Sequence, residues 1–391
     1  MIDNNKWERY TLPTQQELEK ATTIAIEQIS YDLDKFTHHF KANGSEDNFY
    51  KPHDNTTWTT GFWTGQLWIA YELTGEEKYK EAALIQVRSF LERIEKKIDT
   101  NNHDMGFLYS LSCVAAYKLT GSEEGKQAGI LAAKNLASRY QENGEFIQAW
   151  GEVNAEDNYR LIIDCLLNLP LLYWASDILG DDTYADMAKK HINTSLNVIM
   201  RQDCSTYHTY YFEKGTGKPL YGETRQGYSN ESAWSRGQAW GIYGTALSYQ
   251  YTHNEEYKER FFQITDYFLE HLPSDLVPYW DFIFEEGSDE PRDSSAAAIA
   301  VCGMLEMAKY LDEEKSAYYK DAALKIMKSL MDNYAAKSPK TSNAVLLHGV
   351  YARKSPHNPC NDRNVDESNP WGDYYYMEAL IRLQTDWKLY W

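Results

Sequence analysis

Tyr71-Glu-Leu-Thr-Gly75-Glu-Glu-Lys-Tyr79 is the stretch on which the fold turns. It reads as a helix closing on a glycine cap, a tight turn, and an acidic first turn of a new helix. The apolar spacing on both sides is helical: Phe62, Leu67 and Tyr71 before the turn, then Tyr79, Ala82, Ala83, Val87, Phe90 and Leu91 after it. The same signature returns at Tyr117-Lys-Leu-Thr-Gly121, at Ser176-Asp-Ile-Leu-Gly180, at Tyr249-Gln-Tyr-Thr-His253 and at Lys309-Tyr-Leu-Asp312. Five hairpins make ten helices. Residues from about Gln15 to Phe36 supply another and Trp371 to Trp387 a twelfth.

Twelve helices in six pairs predict an all-α fold, an (α/α)6 barrel closed on itself, over residues 1–391 as one domain. An open solenoid is the alternative, but it needs polar capping repeats, and this chain finishes in Trp387-Lys-Leu-Tyr-Trp391. Strand-like alternation is confined to Thr206–Phe212 and Leu346–Tyr351.

Composition narrows the function. Asp plus Glu number 58 against 39 Lys plus Arg, a net charge of −19, which excludes nucleic acid and an anionic membrane as natural partners. No apolar run spans a bilayer. The start of the chain lacks a secretory signal, and the five cysteines (113, 165, 204, 302 and 360) are scattered without metal-ligand spacing. A reduced, cytoplasmic protein with no structural zinc site is expected, as monomer or homodimer. Aromatic residues reach 14%, many of them among Gly, Asn and Ser, as in Trp58-Thr-Thr-Gly61-Phe-Trp63. Rings placed there suit the flat faces of sugars and equally suit ordinary interfaces.

The long linkers before the first helix of each pair carry the chemistry-bearing residues, and a closed ring brings them to one rim. Asp293 and Asp373 read as helix caps. Asp164 differs: within Arg160-Leu-Ile-Ile-Asp164-Cys-Leu-Leu-Asn168 it reads as an acid on an apolar helix, sharing one face with Asp157 and Asn168. Desolvation there raises a carboxyl toward general-acid duty, or Arg160 or Arg236 neutralises it as a structural pair; the residues leave both open. Asp104 is an N-cap or the second carboxylate of a pair. Arg236 is the candidate cation for an acidic substrate, or the partner of an inner-helix acid. His38, His39 and His271 are expected at the surface. Phosphate loops, H-E-x-x-H and G-x-S-x-G are absent.

His103-Asp104-x-Gly106-Phe107, Ile162-Ile163-Asp164, Trp234-Ser-Arg236-Gly-Gln238-Ala-Trp240 and Trp371-Gly-Asp373 together resemble the unsaturated glucuronyl hydrolases of glycoside hydrolase family 88. That family's fold is the (α/α)6 barrel. The resemblance implies hydration of the C4=C5 double bond that polysaccharide lyases leave in a terminal uronic acid of glycosaminoglycan oligosaccharides. It assigns Asp164 as general acid and base and Asp104 as the second essential acid. Trp58, His103, Trp150, His208, Gln226, Arg236 and Trp240 form the implied substrate shell, and no cofactor is implied. Relatives that accept sulfated substrates carry a Ser-x-x-Ser-x-Lys segment; here the matching residues are Ala352 to His357, with Arg353, Lys354 and His357 as replacement cations. Rival readings are an unsaturated rhamnogalacturonyl hydrolase acting on pectin fragments, a sugar epimerase using His208 and His103 as facing bases, and a non-catalytic helical scaffold.

Overall fold

The turn signatures work because a left-handed residue reverses the chain at the end of a helix. In the computed structural model, which describes residues 4–391, Gly75, Gly121 and Gly180 take φ of 71°, 72° and 64° at three of these turns. His253 takes the same conformation at the fourth, with φ 50°. The fifth differs: the Ser294–Met307 helix tightens into a 3-10 turn over Ala308–Tyr310, and Asp312 caps the following helix by accepting from the Lys315 amide at 2.9 Å.

Two kinds of helix alternate. Thr60–Thr74, Met105–Thr120, Pro170–Leu179, Ser235–Thr252, Ser294–Met307 and Pro370–Gln384 form an inner ring. They are buried nearly all round; every residue of Ser294–Met307 is buried. The second of them is interrupted by a π-helical turn at Ser110–Val114. Gln15–Phe36, Glu77–Glu95, Glu123–Ala137, Thr183–Ile199, Glu255–Glu270 and Glu313–Ser329 form the outer ring and bury one stripe each. In Glu77–Glu95 that stripe is Tyr79, Ala82, Ala83, Gln86, Val87, Phe90 and Ile94. Pro370–Gln384 packs against Thr60–Thr74 on one side and Ser294–Met307 on the other, and the Gln15–Phe36 helix backs it. The barrel is therefore closed. No described helix is long and apolar enough to cross a membrane.

One end of the barrel is sealed. Trp387, Tyr390 and Trp391 are buried there, and Lys118 Nζ donates to the carbonyls of Leu389, Tyr390 and Trp391. Trp391 lies parallel to Tyr375 with ring centres 6.1 Å apart, and Arg382 pairs with Glu306 at 2.7 Å and Glu378 at 2.9 Å. The other end stays open and carries short antiparallel ribbons. Arg160–Ile162, Thr209–Phe212 and Pro219–Glu223 make a three-stranded sheet, and Gly349–Ala352 pairs with Arg363–Glu367.

Three expectations need correction. Asp164 is not on a long helix: it follows the Arg160–Ile162 strand inside a 3-10 turn, Ile163–Leu167, and the inner helix starts only at Pro170. Asp157 consequently shares no helical face with Asp164; it sits exposed in a separate 3-10 turn, Glu156–Asn158. Asp373 is not a cap either. Asn369 caps that helix by accepting from the Gly372 amide, while Asp373, one turn further in, accepts from the amides of Val345 and Leu346 at 2.9 and 2.8 Å. Asp293 does cap, accepting from the Ser295 amide at 3.2 Å. His38, His39 and His271 are exposed as expected, and all five cysteines are free thiols.

Candidate active site

The three-stranded sheet decides where Asp164 points. Ile162 pairs with Thr209, and the Ile163 amide donates to the His208 carbonyl at 3.0 Å, so Asp164 and His208 leave the sheet side by side. His208 is buried, and burial, with Arg160, Arg236 and Arg225 nearby, pushes its pKa down to about 3. Its Nδ1 accepts from the amides of Arg225 (3.0 Å) and Gln226 (3.2 Å). The imidazole is thus neutral, and this hydrogen bonding assigns its proton to Nε2.

Asp104 arrives from the neighbouring linker. Asn102 forms an antiparallel bridge with Trp150 and accepts from the Asp104 amide at 3.0 Å, which fixes the turn just before the Met105–Thr120 helix. Asn168 locks the two acidic segments together: its Oδ1 accepts from the Phe107 amide at 2.9 Å, and its Nδ2 donates to the Asp164 carbonyl at 3.2 Å. Gly106 permits this approach, since a Cβ there would lie 2.5 Å from the Asn168 Cα. Gly106→Ala is expected to push the segments apart, costing about 1–3 kcal/mol of stability. A displacement of about 1 Å lowers kcat roughly 10²-fold, measured beside a melting curve.

Between the acids lies His103, fully buried, with Nε2 3.2 Å from Asp164 Oδ1 and 3.5 Å from Asp104 Oδ1. Burial opposes its charge, but the two carboxylates outweigh that and hold its pKa well above the usual value. Burial drives the Asp104 carboxyl up to about 7, and the Asp164 charge adds to the rise. For Asp164 burial also favours the neutral form, yet the adjacent His103 charge, with His208 and Arg160 behind it, draws it below the carboxylate range. Of the two readings left open for position 164, the resting protein realises a paired carboxylate, with His103 as the partner, and the raised acid is at 104. Asp164 presents a partly exposed carboxylate to the cavity, while Asp104 is enclosed. The ligand atoms of the three residues lie within 4.8 Å of one another, so this trio is also the cluster among the described residues with spacing for a metal ion.

Both acids line a cavity of about 220 Å³ at the open end of the barrel. Trp58, Trp150 and Trp240 give it aromatic walls, and His208, Gln226 and Arg236 polar ones. His103 is the exception among the expected shell: it lies beneath the surface and acts on the acids. Trp58 stacks on Trp371 at 5.0 Å and donates from Nε1 to Tyr351 Oη at 3.0 Å. Arg236 is wedged between Trp234 and Trp371 and is spent on the protein: Nη1 meets Asp293 Oδ2 at 2.5 Å and the Val350 carbonyl, Nη2 meets Tyr351 O at 2.8 Å and Gln226 Oε1 at 3.1 Å. The pairing with an inner-helix acid is thus realised. Arg160 and Arg225 add two cations to the lining. Arg225, beside Gln226 in the sequence, escaped the sequence reading, as did Tyr351 and Ile162; neighbourhood to Gln226 was the one signal for the first.

A family model described as Glycosyl Hydrolase Family 88 matches residues 31–385. An unsaturated chondroitin disaccharide hydrolase of Streptococcus pneumoniae is 47% identical over 382 residues, 97% of this chain and 95% of that one. The crystal structure of an unsaturated glucuronyl hydrolase from Streptococcus agalactiae superposes with a TM-score of 0.95 at 47% identity, covering 100% of this chain and 98% of the other. An Asp-to-Asn variant of the Streptococcus agalactiae enzyme, solved in complex with dGlcA-GalNAc6S, has a TM-score of 0.87 at 44% identity and covers 100% of this chain and 97% of its own.

Proposed function

The chain belongs to Glycosyl Hydrolase Family 88, and from that premise we propose that it hydrates the C4=C5 bond of the unsaturated uronic acid ending lyase-generated glycosaminoglycan disaccharides. The observation that carries the reading is the His103 imidazole set between two carboxylates, of which one is protonated near neutrality and the other faces the cavity.

The chemistry proceeds from the proton balance. In the resting site Asp164 is ionised and its neighbours hold the protons. An arriving uronate carboxylate adds a like charge, which raises the proton affinity of Asp164. Asp164 then takes the proton from His103 Nε2 and delivers it to C4. Restored as a carboxylate, it accepts a proton from a water whose oxygen bonds to C5. The hemiketal at C5 opens to a ketone, leaving a hemiacetal at C1 that releases the amino sugar. One water is consumed overall. Asp104 holds the sugar hydroxyls, while the ionised Asp164 keeps His103 charged until the substrate arrives. Arg160, Arg225 and Gln226 face the uronate carboxylate, Arg236 holds Gln226 and Tyr351 in the wall, neutral His208 donates from Nε2, and Trp58, Trp150 and Trp240 enclose the ring. No bond at C1 is displaced directly, so the separation rule for paired carboxylates does not apply.

The epimerase reading loses ground on His208, whose Nδ1 is occupied and whose Nε2 carries a proton, and on His103, which lies beneath the cavity. The five free thiols support a reduced, cytoplasmic setting. The test is to incubate the protein with unsaturated chondroitin and hyaluronan disaccharides and follow the ultraviolet absorbance of the conjugated carboxylate. Loss of absorbance in step with amino-sugar release is expected; no change with a folded protein refutes the reading and favours pectin fragments.

Two further outcomes follow. Asp104 keeps its proton up to about pH 7, so kcat/KM is expected to fall as pH rises through that value, with an alkaline limb absent only if the Asp104 proton is irrelevant. Dialysis against EDTA is expected to leave the rate unchanged, because the trio is used for proton transfer; a loss restored by a divalent cation would assign it to a metal instead.

A further inference from the structure

Two arginines of the outer layer reach past their own helices into the linkers at the open end. Arg93 lies in the last turn of Glu77–Glu95, and Arg139 stands just beyond Glu123–Ala137. Both are buried. Arg93 donates from Nη1 to Asn55 Oδ1 at 3.0 Å and to the Thr57 carbonyl at 2.9 Å. Its Nε and Nη2 donate to the carbonyls of Ile98 and Asp99 at 3.1 and 3.0 Å. The linker of Trp58 is thereby tied to the one that leads to Asp104.

Arg139 repeats the arrangement one linker further on. Its Nη1 donates to Asn101 Oδ1 at 2.6 Å, its Nε to the Gln148 carbonyl at 2.8 Å and its Nη2 to the Gly151 carbonyl at 2.9 Å. The start of the His103–Asp104 segment is thus held to both sides of Trp150, next to the backbone bridge between Asn102 and Trp150. Among the described residues Arg139 enters no ion pair, and burial pulls its pKa down to about 10. Its polar groups are met by the two linkers instead. A planar guanidinium that satisfies three acceptors on two segments fixes both their distance and their angle; an ammonium, as a point charge, cannot reach all three.

We infer that Arg139 is a positioning residue for the reaction: it sets the Trp150 wall at a fixed spacing from Asp104, so that the sugar ring is enclosed at the right distance from the acids. Arg93 does the same for Trp58. The consequence for turnover rests on the hydrolase reading above; the stapling of the linkers does not.

The experiment pairs Arg139→Lys with Arg382→Lys, the same exchange at a guanidinium whose side chain is buried in the sealed end. Both are expected to lower the melting temperature. Arg139→Lys alone is expected to raise KM for an unsaturated chondroitin disaccharide, by about tenfold, inside the roughly 10²-fold penalty of a 1 Å misplacement, with kcat less affected. In a Trp150→Ala background that rise should largely vanish, because the wall being positioned is gone. Full additivity, a native KM in folded Arg139→Lys, or an equal rise in Arg382→Lys overturns the inference. If Arg139→Lys does not fold, Asn101→Ala decides: residue 101 is exposed, and the exchange frees one linker from the guanidinium. A raised KM there supports the inference and a native KM overturns it. Hydrogen exchange without substrate is expected to quicken at residues 102–104 and 148–150 in whichever of these two variants folds and to stay native there in Arg382→Lys. Unchanged protection overturns the staple. Native protein that hydrolyses no disaccharide counts against the hydrolase reading alone, and the exchange result then decides the staple by itself.

Discussion

Asp164→Asn is expected to lower kcat by roughly 10²- to 10⁴-fold, the span that a positioned general acid and base contributes. The amide keeps the size of the side chain and nearly its hydrogen-bonding reach, so the cavity of about 220 Å³ retains its shape. It can neither pass a proton to C4 nor take one from water. The main-chain tie from Asn168 to the carbonyl of residue 164 is untouched, and with it the approach of the two acidic segments. Binding of the disaccharide by calorimetry and the melting temperature should therefore stay near native values. His103 loses one of the two carboxylates that hold its charge, so its proton becomes easier to remove. Native turnover in this variant would mean that another group protonates the alkene. Loss of folding together with activity would return Asp164 to the structural role that its pairing with His103 also permits.

Arg236→Met is expected to be the most damaging substitution for stability, at about 3–5 kcal/mol, the usual cost of leaving a buried charge without its partner. Asp293 is wholly inaccessible and would keep only its contacts to Ser295. The carbonyls of Val350 and Tyr351 would lose their donor as well. Arg236 joins the Ser235–Thr252 helix to the cap of the Ser294–Met307 helix and to the Gly349–Ala352 strand, so its loss should also loosen Gln226 and Tyr351 in the cavity wall. Urea unfolding measures the first effect and KM the second. Adding Asp293→Asn to Arg236→Met should recover a large part of the stability and little of the KM, since the buried charge is gone but the wall is still unsupported. Full additivity of the two substitutions would contradict the pairing.

Both variants bear on how much was legible beforehand. The helical hairpins could be read because left-handed caps and acidic first turns are local signals; Gly75, Gly121 and Gly180 need no tertiary information. Asp164 does line the cavity, but the local structure that brings it there is not the helix expected. Leu161-Ile-Ile with Cys165-Leu-Leu is a short apolar run, which suits a buried helix and a buried strand alike. Pairing with Thr209–Phe212, some fifty residues on, makes part of it a strand, and Pro170 starts the helix as a first-turn proline should. Asp373 was mistaken for a cap because Asn369, four residues earlier, does that work. Which carboxyl keeps the proton could not be read at all, for it depends on a 3.2 Å and a 3.5 Å approach of one imidazole to residues 104 and 164. For Arg236 the sequence offered an inner-helix acid as partner but not which one, since Asp293 lies 57 residues away.

The claim on which the rest depends is that protonation occurs at C4 and not at the glycosidic oxygen. Hydrolysis of an unsaturated chondroitin disaccharide in deuterium oxide, followed by proton NMR, tests it directly. The expected result is loss of the vinyl proton signal with one deuteron entering C4, at the same rate as the amino sugar appears, and neither change with Asp164→Asn. Release of the amino sugar while the vinyl proton persists on the freed uronate would contradict it.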